Sequence, residues 1–363
     1  MKFKTQKENL VSGIAAVQNV ITSKSALPIL SNILIETQKN SLILTGTDLD
    51  IGISCEIPVD VQEQGAITIP AKRFSDIIRE LPGEELELNT KKNNQITIES
   101  DSCQFKIMGL PKEEFPKLPE FQNKEALKLE QGGLKKILEI TSFAVSFDET
   151  RYILNGILFK INKNKLTLVA TDGKRLAIAD KKLSSDSEKD LEIIVPIKTI
   201  QELNRNLKDE GDISVVLGNN QVLFDLGKVT IVSRLIEGEF PDYKQVIPPA
   251  CDNRVVLERE EFLLAIRRAA LLSTPDYQAV KLEVFKNKLV VSKSTPDVGE
   301  SREEVAAEYK GKELIIGFNP AYLIDVLKNL KQDSVELELS DSEKPGVIRS
   351  EGYVYIVLPM RLG

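Results

Sequence analysis

The chain has no histidine and no tryptophan among its 363 residues. Without histidine there is no Ser-His-Asp triad, no Cys-His dyad and no histidine-bearing zinc site. The commonest general acid and base is also missing. Enzymes can work without histidine, but its absence makes one less expected, and no catalytic, metal-binding or cofactor-binding residue is assigned. The three cysteines, Cys55, Cys103 and Cys251, are far apart and odd in number. That argues for free thiols in a reducing compartment rather than a disulfide frame. No apolar run approaches the roughly 20 residues of a membrane span, and the opening MKFKTQKENL lacks the apolar core of a secretion signal. The expected location is cytoplasmic, with no membrane partner. No GxxxxGKS/T is present, so ATP hydrolysis would belong to another protein.

What the chain does have is repetition. ILTGTDLDIG (43–52) returns as VATDGKRLA (169–177), with Asp48 and Asp172 lying 124 residues apart. GAITIPAKRFSDIIREL (65–81), LEIIVPIKTIQELNRNL (191–207) and ELIIGFNPAYLIDVLKNL (313–330) each read as a β-branched strand, a proline, then an amphipathic helix. The prolines Pro70, Pro196 and Pro320 suit a helix's first turn. The openings of the copies, from 3, 127 and 255, each read as strand then helix. Leu10, Ile14 and Val17, and later Phe262, Ile266 and Ala269, keep a 3.6-residue period. The strings QNKEA and IPPACDN carry linker chemistry. The fold expected is α+β, with three similar domains at 1–122, 127–247 and 252–363. Each would pack two helices on antiparallel sheets of about eight strands.

Charge is distributed unevenly over this pattern. The whole chain carries −7, yet the six helical segments together carry +6, so the remainder carries −13. If the units join edge to edge, the helices line one side of a wall. Closing that wall would put basic helices inside and acidic strands outside. Twelve helices from two chains, each about 10 Å across, trace a ring with about 28 Å clear. Duplex DNA fits that opening with a layer of water. Phosphate contacts are independent of sequence and permit sliding, and an acidic exterior discourages sticking to other DNA.

At this point the sequence resembles the bacterial DNA sliding clamp, the beta subunit of replicative DNA polymerase III. The resemblance runs the full length. It is carried by LPILSNILI (27–35), LTGTDLDI (44–51), RYILNGILF (151–159), ATDGKRLA (170–177), FPDY (240–243), GFNPAYLIDVL (317–327) and VLPMRL (357–362). It implies a ring-forming head-to-tail homodimer of DNA-clamp domains that encircles double-stranded DNA without sequence specificity. It also implies an ATP-driven clamp loader. A processivity factor of this kind tethers the DNA polymerase III catalytic subunit, and other DNA polymerases and repair proteins carrying clamp-binding peptides. It is not an enzyme.

The resemblance further implies a partner-peptide groove between the second and third domains. That groove would contain Leu154, Thr171, Gly173, Lys174, Arg175, Leu176, Pro241, Val246, Asn319, Tyr322, Ile356, Leu358, Met360 and Arg361. Leu, Ile and Met make an adaptable apolar pocket, and Arg175 and Arg361 would meet polar or acidic peptide atoms. Candidate DNA contacts are Lys24, Arg73, Lys136, Arg151, Tyr152, Lys198, Arg205 and Lys328. The subunit interface would bring the strand around Phe105 and Ile107 to Leu271, Leu272 and GESREE (299–304). Three positions depart from the family pattern. Lys174 stands where relatives often have histidine, Gln245 where some have arginine, and Glu239 where some carry a basic residue.

Two rivals remain at the level of sequence. Asp48-x-Asp50 has a spacing that can hold Mg²⁺, but no further acidic cluster converges on it. A protein-binding scaffold that never meets DNA is the other, and it predicts no dependence of retention on DNA topology.

Overall fold

The computed structural model describes residues 1–22, 27–91, 93–119, 121, 126–183 and 190–362. Residues 122–125 of the first expected domain boundary, 122–126, and Lys24 lie outside the described residues. Six α-helices are present among them: α1 (Lys7–Val17), α2 (Ala71–Glu80), α3 (Gln131–Glu139), α4 (Ile197–Asn206), α5 (Arg259–Ala270) and α6 (Pro320–Asn329). Each repeat therefore supplies two, as its periodicity predicts. Leu10, Ile14 and Val17 of α1 are buried, as are Phe262, Ile266 and Ala269 of α5. None of the described helices is long and apolar enough to cross a membrane.

The prolines stand slightly differently from expectation. Pro320 occupies the first turn of α6, whereas Pro70 and Pro196 end the strands before α2 and α4. Those strands lie at sheet edges, where a missing N–H removes no ladder bond. The helix charge is also smaller than the sequence suggests. Lys208 and Lys331 lie beyond the ends of α4 and α6, which lowers the helical total to +4.

The described residues fall into two compact units, 1–135 with 198–235 and 136–197 with 236–363. The first holds a five-stranded sheet, in the order Asp60–Glu63, Lys2–Gln6, Glu85–Thr90, Gln95–Ser100, Cys103–Met108. It also holds an eight-stranded sheet: Ala126–Glu130, Asp212–Leu217, Gln221–Asp225, Val229–Arg234, Ile51–Pro58, Ser41–Thr47, Asn32–Thr37, Ala66–Pro70. The second unit is built on twelve strands. They run Leu191–Pro196, Gly156–Asn162, Lys165–Thr171, Arg175–Lys182, Tyr353–Val357, Gly346–Ser350, Ser334–Glu338, Arg254–Glu258, Gly299–Glu308, Lys288–Thr295, Val280–Phe285, Leu314–Phe318. All these pairings are antiparallel.

The central repeat is thus shared out. Half of its strands continue the sheet of the first repeat, and half continue the sheet of the third. The two junctions have the same register. In the first unit Val229 pairs with Cys55 and Ser233 with Ile51. In the second unit Tyr353 pairs with Ala179 and Val357 with Arg175.

Among the described strands that keep an unpaired edge are Cys103–Met108 and Gly299–Glu308. Cys103–Met108 pairs only with Gln95–Ser100 among the described residues. Gly299–Glu308 pairs through residue 306 with Lys288–Thr295, but on its other side only Ala307 and Glu308 are paired among the described residues. Fully buried Phe3, Phe74 and Phe224 anchor the first unit and Phe262, Phe318 and Tyr355 the second. Each buried phenylalanine contributes on the order of 1.5–3 kcal/mol.

Candidate functional site

The repeated phrase folds into one repeated turn. Thr47 Oγ1 donates to the Ile51 carbonyl at 2.9 Å and accepts from Leu49 N at 3.1 Å. Asp48 Oδ1 accepts from the backbone of Asp50 and Ile51 at 3.1 and 2.9 Å. In the second copy Thr171 Oγ1 donates to the Arg175 carbonyl at 2.6 Å and accepts from Gly173 N at 3.0 Å. Asp172 Oδ1 accepts from Lys174 N and Arg175 N at 2.9 and 3.0 Å. The third residue of each turn is left-handed, with φ of 82° at Leu49 and 83° at Gly173. Asp48 and Asp50 are occupied by this geometry and by nearby cations. Asp48 pairs with Lys198, and Asp50 lies 3.7 Å from Arg234. The divalent-metal reading finds no converging pair here.

The second turn adjoins an apolar surface. Leu158, Val169, Leu176, Ile178, Ile194, Phe240, Val347 and Ile356 form one buried cluster, with Ile153, Leu154, Ile236, Tyr243, Ile247 and Val354 packed against it. The C-terminal tail is strapped alongside. Leu358 N donates to the Lys174 carbonyl at 2.9 Å, and Met360 N donates to the Gly317 carbonyl at 2.8 Å. Leu358 is 45% exposed and Val246 57% exposed, which leaves apolar surface facing solvent. Pro241, Lys174 and Arg361 are exposed as well, and Thr171, Tyr322 and Met360 half-buried. Asn319 Oδ1 accepts from Ala321 N at 3.0 Å and so caps α6. A cavity of about 1000 Å³ lies beside the tail, lined in part by Tyr277, Gln278, Lys293, Met360 and Arg361.

Arg175 departs from expectation. It is 9% exposed, and its guanidinium points inward. Nε donates to Asp172 Oδ2 at 3.0 Å, Nη1 to Asp325 Oδ2 at 2.6 Å and Nη2 to the Phe143 carbonyl at 2.6 Å. Its Cζ lies 4.5 Å from the centre of the Tyr322 ring and 5.6 Å from that of Phe143. Burial works to release its proton, but the hydrogen bond to Asp325 and the charge of Asp172 outweigh this and hold the guanidinium above its ordinary value. Nε, Nη1 and Nη2 of Arg175 are each engaged inside the protein, beside the apolar surface. Below it, Tyr355 donates to the Tyr322 carbonyl at 2.9 Å, and burial pushes its phenol up. Phe143, Asp325, Tyr355 and Tyr277 have no signal in the sequence, because their partners lie far along the chain.

The candidate DNA contacts fall in both units. Arg73 on α2, Lys136 on α3 and Lys328 on α6 are exposed and have no side-chain partner among the described residues. Tyr152 is 58% exposed. The other three are engaged. Lys198 pairs with Asp48 and Arg205 with Glu202. Arg151 donates to the Asp172 carbonyl at 3.2 Å and lies 3.7 Å from Asp148.

At the expected interface Leu271 is 81% and Phe105 41% exposed, but Ile107 is only 6% exposed. Ile107 lies opposite Ile96 within its own sheet, so it is a core residue. Leu272 is half-buried, and its carbonyl accepts from Thr295 Oγ1 at 2.6 Å. The three cysteines are free thiols.

Comparison with known proteins covers the whole chain. Family models for the DNA polymerase III beta subunit match its N-terminal domain at residues 1–119, its central domain at 128–242 and its C-terminal domain at 244–361. The chain is 35% identical to the beta sliding clamp of Chlamydia pneumoniae, over 100% of this chain and 99% of that protein. Its fold matches the DNA polymerase sliding clamp of Bacillus subtilis with a TM-score of 0.95 at 32% identity, covering 100% of both chains. It matches the sliding clamp of Pseudomonas aeruginosa bound to griselimycin with a TM-score of 0.95 at 34% identity, again over 100% of both.

Proposed function

Since the chain belongs to the family of DNA polymerase III beta subunits, the sliding clamps, we propose that two copies close head to tail around duplex DNA. The ring holds the polymerase and other partners through the apolar groove beside the 171–175 turn. Its relatives are named as clamps and not as enzymes. Three domains at 1–122, 127–247 and 252–363 build each subunit, and the setting is the cytoplasm, where a clamp loader opens the ring.

The observation that carries this reading is the pair of open edges. Cys103–Met108 corresponds in the repeat to Val229–Arg234 and Tyr353–Val357. Gly299–Glu308 corresponds to Ile51–Pro58 and Arg175–Lys182. Both internal junctions pair these two kinds of strand in one register. Carried to the third junction, that register sets Cys103 opposite Glu303, Phe105 opposite Ser301, and Lys106 opposite Glu300 of a second copy. A cation then faces a carboxylate across the seam, which favours the pairing. A heterologous contact of this kind closes into a ring once the rotation permits.

The groove reading is supported by its composition and by the tail. Leu154, Leu176, Ile356, Leu358 and Met360 offer an apolar trough suited to a short hydrophobic segment. Arg361, Lys174 and Lys244 stand exposed around it and suit a peptide with acidic flanks.

Retention on DNA tests the ring. Protein loaded onto a closed circle is expected to stay through gel filtration and to leave once the circle is cut. Equal retention before and after cutting would point to ordinary adhesion and overturn the reading.

A further inference from the structure

We propose that Asp48 and Glu202 restrain the grip of α4 on the DNA backbone by holding its two cations, Lys198 and Arg205, in pairs within the protein. This rests on the DNA-encircling reading above. Lys198, Glu202 and Arg205 recur at i, i+4 and i+7, so all three lie on one face of the helix.

The partners are not ordinary surface acids. Glu202 is 3% exposed beneath an Arg205 side chain that is 54% exposed. Asp48 is 14% exposed beneath a Lys198 side chain that is 48% exposed. Both carboxylates are fixed in place. Asp48 is held by the amides of Asp50 and Ile51 within its turn. Glu202 is buried on α4, where Oε1 meets Arg205 and Oε2 has no partner among the described residues; burial pushes its carboxyl up, and the charge of Arg205 opposes this. A surface glutamate could swing aside when a phosphate arrives, but these two cannot. Each cation therefore presents an outer head over an anchored anion, and the face is close to neutral. Arg73, Lys136 and Lys328, with no partner among the described residues, carry the unrestrained attraction.

The consequence is a loose grip. Binding strength and its salt dependence grow with the number of phosphates neutralised, by a log–log slope of about 0.9 for each. A ring that keeps its partner by closure gains from weak contacts, because each phosphate step then costs little.

The test uses the intact dimer and a short duplex, with affinity read by fluorescence anisotropy between 50 and 200 mM salt. Asp48→Asn keeps the acceptor that caps the turn, and Glu202→Gln keeps the shape of the buried side chain. Each is expected to tighten binding and to steepen the salt slope by up to about 0.9 per freed cation. That corresponds to an extra factor of about three in affinity lost over this range. Arg73→Ala and Lys136→Ala are expected to weaken binding and flatten the slope. If those two weaken binding while both neutralising variants leave affinity and slope unchanged, the restraint is wrong and the DNA reading stands. If Arg73→Ala and Lys136→Ala also change nothing, the DNA reading itself fails. Thermal melts of each variant separate a folding defect from either outcome, and either neutralising variant alone suffices to decide.

Discussion

The turns at 47–51 and 171–175 share a backbone and differ in what they hold. Each uses threonine and aspartate to tie the same positions, and each passes through a left-handed third residue. The first fixes an exposed lysine on α4 through Asp48. The second fixes a buried arginine that joins Asp172 to Asp325 of α6 and stacks on Tyr322. The last residue of each turn points inward, but Ile51 is an apolar core residue, whereas its counterpart is a buried cation. In the second copy that residue is Arg175, and it couples the floor of the apolar surface to a helix 150 positions away.

This contrast can be broken in order of expected effect. Arg175→Ala leaves Asp172 and the partly exposed Asp325 without their shared cation. It should cost on the order of 3 kcal/mol in stability, the low end for a broken buried pair because solvent reaches Asp325, and abolish binding of an apolar peptide, measured by denaturant unfolding and titration. Gly173→Leu places a side chain at φ 83°, with its Cβ 3.0 Å from the Arg151 guanidinium. A loss of about 1–3 kcal/mol is expected, together with weaker peptide binding. Leu49→Gly relieves the same strain in the first copy, where the side chain is 47% exposed. After the entropy of glycine is set against it, a gain of up to about 1 kcal/mol is expected, with peptide binding unchanged. Lys198→Ala removes only an exposed partner and should alter stability by about 0.5 kcal/mol or less. If Lys198→Ala and Arg175→Ala destabilise equally, the contrast between the turns is mistaken.

Much of this was legible in the sequence. Three copies, two helices in each, the buried faces of α1 and α5 and the turn phrase all follow from periodicity, which reports local geometry. The sequence does not show that the central copy divides its strands between two sheets, because strand pairing between copies leaves no periodic trace. Arg175 reads as a ligand-facing cation until Asp325 and Phe143 are found beside it. Lys198 and Arg205 read as free charge for the same reason. Ile107 reads as an interface residue because it shares a strand face with the exposed Phe105, and alternation does not show that this face is covered at Ile107 and open at Phe105.

The central claim, that the two open edges pair between copies in the register of the internal junctions, is tested most directly by Glu303→Cys. The register sets this cysteine opposite native Cys103 of a second copy, within the Cβ separation a disulfide needs. Oxidation should give a covalent species at twice the 40.5 kDa chain mass, reversed by reductant and lost when Cys103 is also changed to serine. A chain that stays monomeric on oxidation, at concentrations where its solution mass is that of a dimer, would contradict the register and with it this account of closure.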